Sequence, residues 1–551
     1  FNATFSGDMS GAGTLNKTGG GTLFLPTGAT RTIGSIAVTD GLIDHTGGDT
    51  EVGGLFIGSY SGTGSDGTFT LTDGTIDLKT TSTQVAVGSG SGVNTGEFNI
   101  DGGTLNLGDA LDGAIRVDFY VGAFGSSGTA TVNQTGGVVN KLSDLGVLHI
   151  GNQGTGVYNL SGGTLNIDWA AAGGGLALGR SYDVNAGNGT LNITGGQLNL
   201  LNGAPILIGG AGSDSGIGQG VVNQTGGVVS ALGGANIYIG NYGTGTYNLD
   251  GGTLEVGGSN GIARGTGTPT ANFNLGGGTL RVIESDLTVG SAINPALTAA
   301  TTSTINTNGF NAHFNGNFSG TGNVNKAGAG KLTLAGTSNS AGTVNVDEGE
   351  LTVTHSLTAT AIVVAEIARL NTAGQLNAQV SVNGEFTTGD AIGLATVNGD
   401  LTFSSTSSMV LAFNSETTNI LDRGVEFDAI DLLNAGIFTA ENGSSAELVF
   451  NGAGSTVDYT TVFWDSEQTW LIVDSPNSIA LASGGLTSIS VSADSNGMAF
   501  SPGVGSFEFV STGDMTGVNL VFTPVPEPHV YALLIGLASL TIVAIRRRKH
   551  S

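Results

Sequence analysis

The chain has 551 residues, a formal net charge of −27, 97 glycines, 9 prolines and no cysteine. It lacks the basic stripe that phosphate backbones require, which excludes nucleic acid as a partner, and the missing cysteines exclude disulfides and thiolate metal sites. Hydrophobic residues at 39% are too many for disorder, and Gly, Thr and Asn are weak helix formers, so an all-β chain with frequent turns is predicted.

The chain opens on "FNATFSGDMS" without Met, which reads as a processed or truncated start. "FSGDMSGAGTLNKTGGGTLFL" (Phe5–Leu25) aligns without gaps on "FNGNFSGTGNVNKAGAGKLTL" (Phe314–Leu334). Both carry a Ser-Gly-x-Gly turn, an Asn-Lys pair (Asn16-Lys17, Asn325-Lys326), a Gly-x-Gly and an alternating strand. The later copy runs on through "AGTSNSAGTVNVDEGELTV". These segments resemble the autotransporter-associated β-strand repeat of bacterial surface proteins, which implies a β-helical passenger. No twelve-strand membrane barrel follows, so the chain departs from true autotransporters. Residues 1–45 are read as a partial copy that starts the solenoid, and 291–400 as further coils of this type.

Between them, 46–290 repeats a second unit: "GTFTLTDGTIDL" from Gly67, "GEFNIDGGTLNL" from Gly96, "GVYNLSGGTLNI" from Gly156, "GTYNLDGGTLEV" from Gly245. A landmark glycine recurs at Gly74, Gly103, Gly137, Gly163, Gly196, Gly227, Gly252 and Gly278, every 25 to 34 residues, a spacing that signifies stacked repeats. Most units also hold an apolar-x-apolar-Gly run such as "LHIG" at Leu148 or "IYIG" at Ile237. Each unit thus predicts three short strands, too short to bury a core alone but able to pair with their equivalents above and below. The expected fold is a right-handed parallel β-helix, a β-solenoid.

An Asn recurs in each unit, at Asn99, Asn133, Asn159, Asn192, Asn223, Asn248 and Asn274. Alternation puts Tyr158 with Leu160, and Tyr247 with Leu249, inside and the Asn outside, where stacked amides form a structural ladder or a regular ligand-binding row. Gln134 and Gln224 stand where other units have Leu or Ile, and alternation leaves their direction open.

From about Leu401 the repeat fades into longer alternating strands with Trp464 and Trp470, predicting a C-terminal β-rich domain over 401–522 that caps the solenoid. The segment 523–551 ends the chain. Val530 to Ile545 is an apolar run of roughly 16 residues, about 24 Å as a helix, followed by the cations Arg546, Arg547, Arg548 and Lys549, which reads as a transmembrane helix with a cytoplasmic stop. Pro526-Glu527-Pro528, the apolar span and the Arg cluster together resemble the PEP-CTERM sorting signal of Gram-negative bacteria. The resemblance implies recognition by an exosortase, transient anchoring in the inner membrane, and delivery to the cell surface or to an exopolysaccharide-rich biofilm matrix.

Enzyme signatures are weak. "GTGSDG" (Gly62–Gly67) is followed by no βαβ unit, "GAGKLT" (Gly328–Thr333) has Leu332 where a phosphate loop needs Ser or Thr, and Ser259 in "GGSNG" lacks a strand–turn–helix. Carboxylate sets for a polysaccharide lyase or hydrolase are Asp109 with Asp112, Asp347 with Glu348 and Glu350, and Asp428 with Asp431. Arg116 and Asp118 read as a surface ion pair. His45, His149, His313, His355, His529 and His550 show no metal-ligand spacing, although acidic loops such as "SGTGSDG" are compatible with calcium. No cofactor, metal site or catalytic residue is expected. The leading expectation is a non-enzymatic surface or matrix protein or adhesin, with exopolysaccharide or cell-surface glycans as partners; the alternative is a polysaccharide-active enzyme on the same scaffold.

Overall fold

The computed structural model describes residues 1–58, 64–80, 83–108, 116–142, 146–168, 175–181, 186–210, 217–477, 479–481 and 485–525. The chain divides into two units, Phe1–Thr360 and Ala361–Ser551, so the division falls within the segment expected as continuous autotransporter-type coils.

One coil of the first unit shows how the sequence builds the rest. In the strand Thr155–Leu160, alternation turns Tyr158 and Leu160 inward, where both are fully buried. Ser161-Gly162-Gly163 then bends the chain, with Gly163 at φ 71°, a conformation that costs an L-residue its Cβ clearance. The strand Thr164–Asp168 buries Leu165 and Ile167, and Gly175–Arg180 buries Leu176 and Leu178.

Each of the three strands pairs in parallel with its equivalents one coil away. Val132, Tyr158 and Leu191 stand in register on the first wall; Val139, Leu165 and Leu198 on the second; Leu148, Leu176 and Ile206 on the third. The chain is thus nearly all β, a mostly parallel sheet wound so that sequence equivalents sit above one another, consistent with a β-solenoid. Inside, aromatic rings touch between neighbouring coils, as Phe69 and Phe98 do edge to face at 5.6 Å.

The two autotransporter-type copies lie on different walls. Lys326 is in register with Ile305 and Val346 on the second wall, whereas Lys17 is in register with Val38 on the third. Both lysines nevertheless do the same thing. Lys326 Nζ donates to the carbonyls of Ala327 (3.1 Å), Gly328 (2.6 Å) and Glu348 (2.8 Å) and to Thr307 Oγ1 (3.1 Å). Lys17 Nζ donates to the Gly19 carbonyl and, at 3.1 Å, to the Asp40 carbonyl. The ammonium therefore ties a turn to the coil that follows it. Burial pushes the Lys326 ammonium down to about 8, with Glu348, Asp347 and Glu350 opposing the shift.

In the second unit parallel stacking runs further than the expected separate β-domain. Leu376, Val397 and Leu432 form one column, Val380, Leu401 and Phe438 another, and Phe386, Met409, Ala446 and Ile489 a third. Antiparallel strand pairing enters with the last two strands. Gln468–Asp474 pairs antiparallel with Gly517–Pro524, which pairs antiparallel with Gly505–Ser511. Trp464 and Trp470 are buried beside this hairpin, Trp464 meeting Phe522 edge to face at 5.0 Å. Trp470 Nε1 donates to the Thr417 carbonyl at 2.6 Å.

Among the described residues no helix is long and apolar enough to cross a membrane. The span 530–545 and the residues Pro526, Glu527, Pro528, Arg546, Arg547 and Arg548 lie outside the described residues.

Candidate functional site: an amide-lined face

The seven recurrent asparagines occupy consecutive coils of the first wall, in register from Asn99 to Asn274. Their amides form one unbroken chain of hydrogen bonds. Each Nδ2 donates to the Oδ1 of the preceding coil: Asn133 to Asn99 at 2.9 Å, Asn159 to Asn133 at 2.8 Å, Asn192 to Asn159 at 2.9 Å. Asn223 donates to Asn192 at 2.9 Å, Asn248 to Asn223 at 2.7 Å and Asn274 to Asn248 at 2.6 Å. Aligned amides polarise one another, so each bond strengthens its neighbours. All seven side chains are half-buried on the outward side.

A second ladder runs on the adjoining wall, and sequence reasoning missed it. Asn106 donates to Asp77 at 2.8 Å, Asn140 to Asn106 at 2.9 Å, Asn166 to Asn140 at 2.8 Å and Asn199 to Asn166 at 2.8 Å. The row continues as Ser230, Glu255 and Arg281, with Arg281 on Glu255 at 3.0 Å. The signal was present in the repeat: from Thr70 and Asp77 through Asn99 and Asn106 to Asn274 and Arg281, the two rows stay seven residues apart in every coil. The coil-to-coil interval meanwhile ranges from 25 to 34 residues.

Gln134 and Gln224 point inward. Gln134 Nε2 donates to the Thr164 carbonyl at 3.0 Å, and Tyr158, one coil on, donates its hydroxyl to Gln134 Oε1 at 2.7 Å. Gln224 repeats the arrangement with Thr253 (2.9 Å) and Tyr247 (2.6 Å). Burial pushes both tyrosine hydroxyls well above the ordinary phenol range, so they serve as permanent donors.

Other polar groups form separate structural clusters. Asp118 is not the surface partner expected: it is buried, takes Arg116 Nε at 2.9 Å and the Tyr120 hydroxyl at 3.1 Å on Oδ2, and accepts the Val147 amide at 3.0 Å on Oδ1. Tyr120 stacks on the buried His149 ring at 5.2 Å. Burial pushes His149 down to about 3, with the Arg180, Arg116 and Lys141 cations adding to the shift. Nearer the N-terminus, buried His45 donates Nδ1–H to the Asp73 carbonyl and accepts the Thr50 hydroxyl at Nε2, each at 2.9 Å.

The candidate carboxylates stand apart from one another in role. Glu350 holds Lys331 at 3.0 Å and accepts from Thr352 at 2.7 Å, and Asp431 pairs with Arg423 at 2.8 Å. Asp428 is buried and clamps the amides of Gly393 (2.8 Å) and Ala412 (2.7 Å); burial pushes its carboxyl up to about 6, against the pull of those two donors. Asp109 and Asp112 lie outside the described residues. Ser259 sits in the continuous strand Thr244–Arg264, and "GAGKLT" leads into the strand Lys331–Leu334, so neither has the helix its chemistry needs. Among the described residues, no three His, Asp or Glu side chains converge on a metal position.

No protein-family model matches the chain, and no curated protein matches it. The likenesses to the autotransporter-associated repeat and to the sorting tail therefore rest on the residues that carry them.

Proposed function

We propose that the chain is an exported, non-enzymatic, right-handed β-solenoid acting as a structural protein or adhesin of the cell surface or extracellular matrix. Pro526-Glu527-Pro528 and Arg546 to Arg548 address it to an exosortase-type enzyme, and the apolar span between them anchors it transiently in the inner membrane of a Gram-negative cell. The antiparallel hairpin Gly505–Pro524 serves as the C-terminal cap. Exopolysaccharide or cell-surface glycans are its partners.

The observation that supports this reading is the unbroken amide ladder from Asn99 to Asn274. Seven coils repeat one outward chemistry at one position, which is a design for many equal, weak contacts whose avidity comes from number. A catalytic centre would instead break the repeat at one coil to bring unlike groups together.

The test is a glycan array on the full chain combined with release of reducing sugar. Glycan binding without new reducing ends is the expected result. Turnover would replace this reading with a polysaccharide-active enzyme on the same scaffold.

A further inference from the structure

Resting on the reading that glycans are the partner, we propose that the outward face of the first wall, from Thr131 to Asn248, binds an uncharged, straight β-linked polysaccharide lying along the stacking direction.

The border of this face with the second wall is constant. The turn that joins the first wall to the second has the same length in every coil, seven residues from amide row to amide row, so all variation in coil length is placed elsewhere. No residue of the five first-wall strands from Thr129–Gln134 to the Leu249 end carries a charge. Charges flank the patch instead, with Glu97 before it and Asp250 directly after. In a chain of net charge −27 this uncharged surface, five coils long, offers no cation to a uronate or sulfate that the rest of the molecule repels.

The chemistry of the face is a pair of parallel rows. Two residues before each Asn stands Thr131, Val157, Thr190, Val221 or Thr246, all half-buried and all β-branched, so a continuous row of γ-methyl groups borders the amides. An amide has two N–H donors and two acceptor lone pairs, and the ladder commits one of each; Asn133 gives its second N–H to Glu97 at 3.1 Å, and from Asn159 to Asn248 each coil keeps one donor and one acceptor for a ligand. A β-linked pyranose ribbon has the complementary division: C–H groups on the ring faces and equatorial hydroxyls along the edges. Its ring faces lie on the methyl row and its hydroxyls exchange hydrogen bonds with the amides. Five coils span about 19 Å at the ~4.8 Å spacing of paired strands, so a ribbon meets the same pair of rows at each step. No aromatic side chain faces outward there, so single contacts are weak and affinity grows with chain length.

The full chain is titrated with cellobiose, cellohexaose and carboxymethyl cellulose, beside the variant Thr190→Lys with Val221→Lys and the control Ser381→Lys, an exposed position of the second unit. Cellohexaose is expected to bind well above cellobiose, and the double variant to weaken it about tenfold or more with unchanged circular dichroism, while the control binds as the parent does. Should the double variant misfold, Thr190→Gln, longer but uncharged, is expected to weaken binding about threefold. Cellohexaose binding unaffected by the face variants, or a preference for carboxymethyl cellulose, overturns the inference while glycan recognition stands. Failure to bind any glycan on the array overturns the wider reading as well.

Discussion

Gln134 lies at an inward position of the first wall, in register between Ile100 and Leu160, where an apolar side chain would fit without a partner. It is tolerated because Tyr158 and the Thr164 carbonyl satisfy it. A buried acceptor stripped of its donor costs about 1–3 kcal/mol, whereas replacing both partners by apolar groups is close to neutral. Tyr158→Phe is therefore expected to destabilise by about 1–3 kcal/mol, and Tyr158→Phe with Gln134→Leu to recover most of that loss. Urea titration of the four proteins in the cycle measures it; a double-variant loss equal to the sum of the two single losses would show that the Gln–Tyr bond carries no net energy. This pair marks where residue-level reading ends. Alternation assigns Tyr158 and Leu160 to the interior from neighbours two residues away. Gln134 needs a donor 24 residues distant, and only the register of the next coil supplies it.

At the level of elements, the glycine that bends the first wall into the second is the most sequence-legible feature. Seven of the eight landmark glycines, Gly74 through Gly252, hold positive φ, while in the last unit that role passes from Gly278 to Gly277 (φ 128°). Position matters beyond φ. A Cβ on Gly163 would fall 2.3 Å from the Gly136 carbonyl oxygen and 2.4 Å from that of Gly137, whereas a Cβ on Gly28, at φ 84°, meets nothing within 4 Å. Gly28→Ala is expected to cost only the left-handed backbone term, about 1–2 kcal/mol. Gly163→Ala must in addition push neighbouring coils apart, so limited proteolysis is expected to cut that variant between the coils at Gly137 and Gly163 and to leave Gly28→Ala intact. Equal resistance of the two would refute close coil contact at this corner. What the sequence could not convey is which wall a motif joins. The Asn-Lys copies make the same lysine clasp from different walls, because the clasp depends on the next turn, while the wall depends on how many strands precede it. The second amide row was missed for a related reason: attention to the Asn of one strand hides the seven-residue interval that repeats it on the next.

For the molecule as a whole, the buried ionisable groups of the two units respond to acid in opposite directions. In the first unit His149 is pushed down to about 3 and His45 is also lowered, both chiefly by burial. The unfolded imidazole protonates near 6.5, so between these values the unfolded state binds more protons. The stability these histidines allow is complete above about pH 6.5 and falls as pH drops toward 3, by about 1.4 kcal/mol per pH unit for each proton. In the second unit Asp428 is raised to about 6 while its unfolded counterpart titrates near 3.9, so there the folded state binds the extra proton. Its contribution to stability rises as pH falls from about 6 to about 4, because the neutral acid is the form that burial favours. Stacked repeats open locally, so the two responses are readable separately by hydrogen exchange. Between pH 7 and pH 4.5, after correction for intrinsic exchange, protection of Val147–Asn152 is expected to fall while that of Ala429–Leu432 holds or rises. His149→Gln, which cannot take up the proton, is expected to flatten the first response and leave the second unchanged. A parallel decline in both units, insensitive to that substitution, would mean that repulsion spread over the whole chain, rather than these buried groups, sets the acid response.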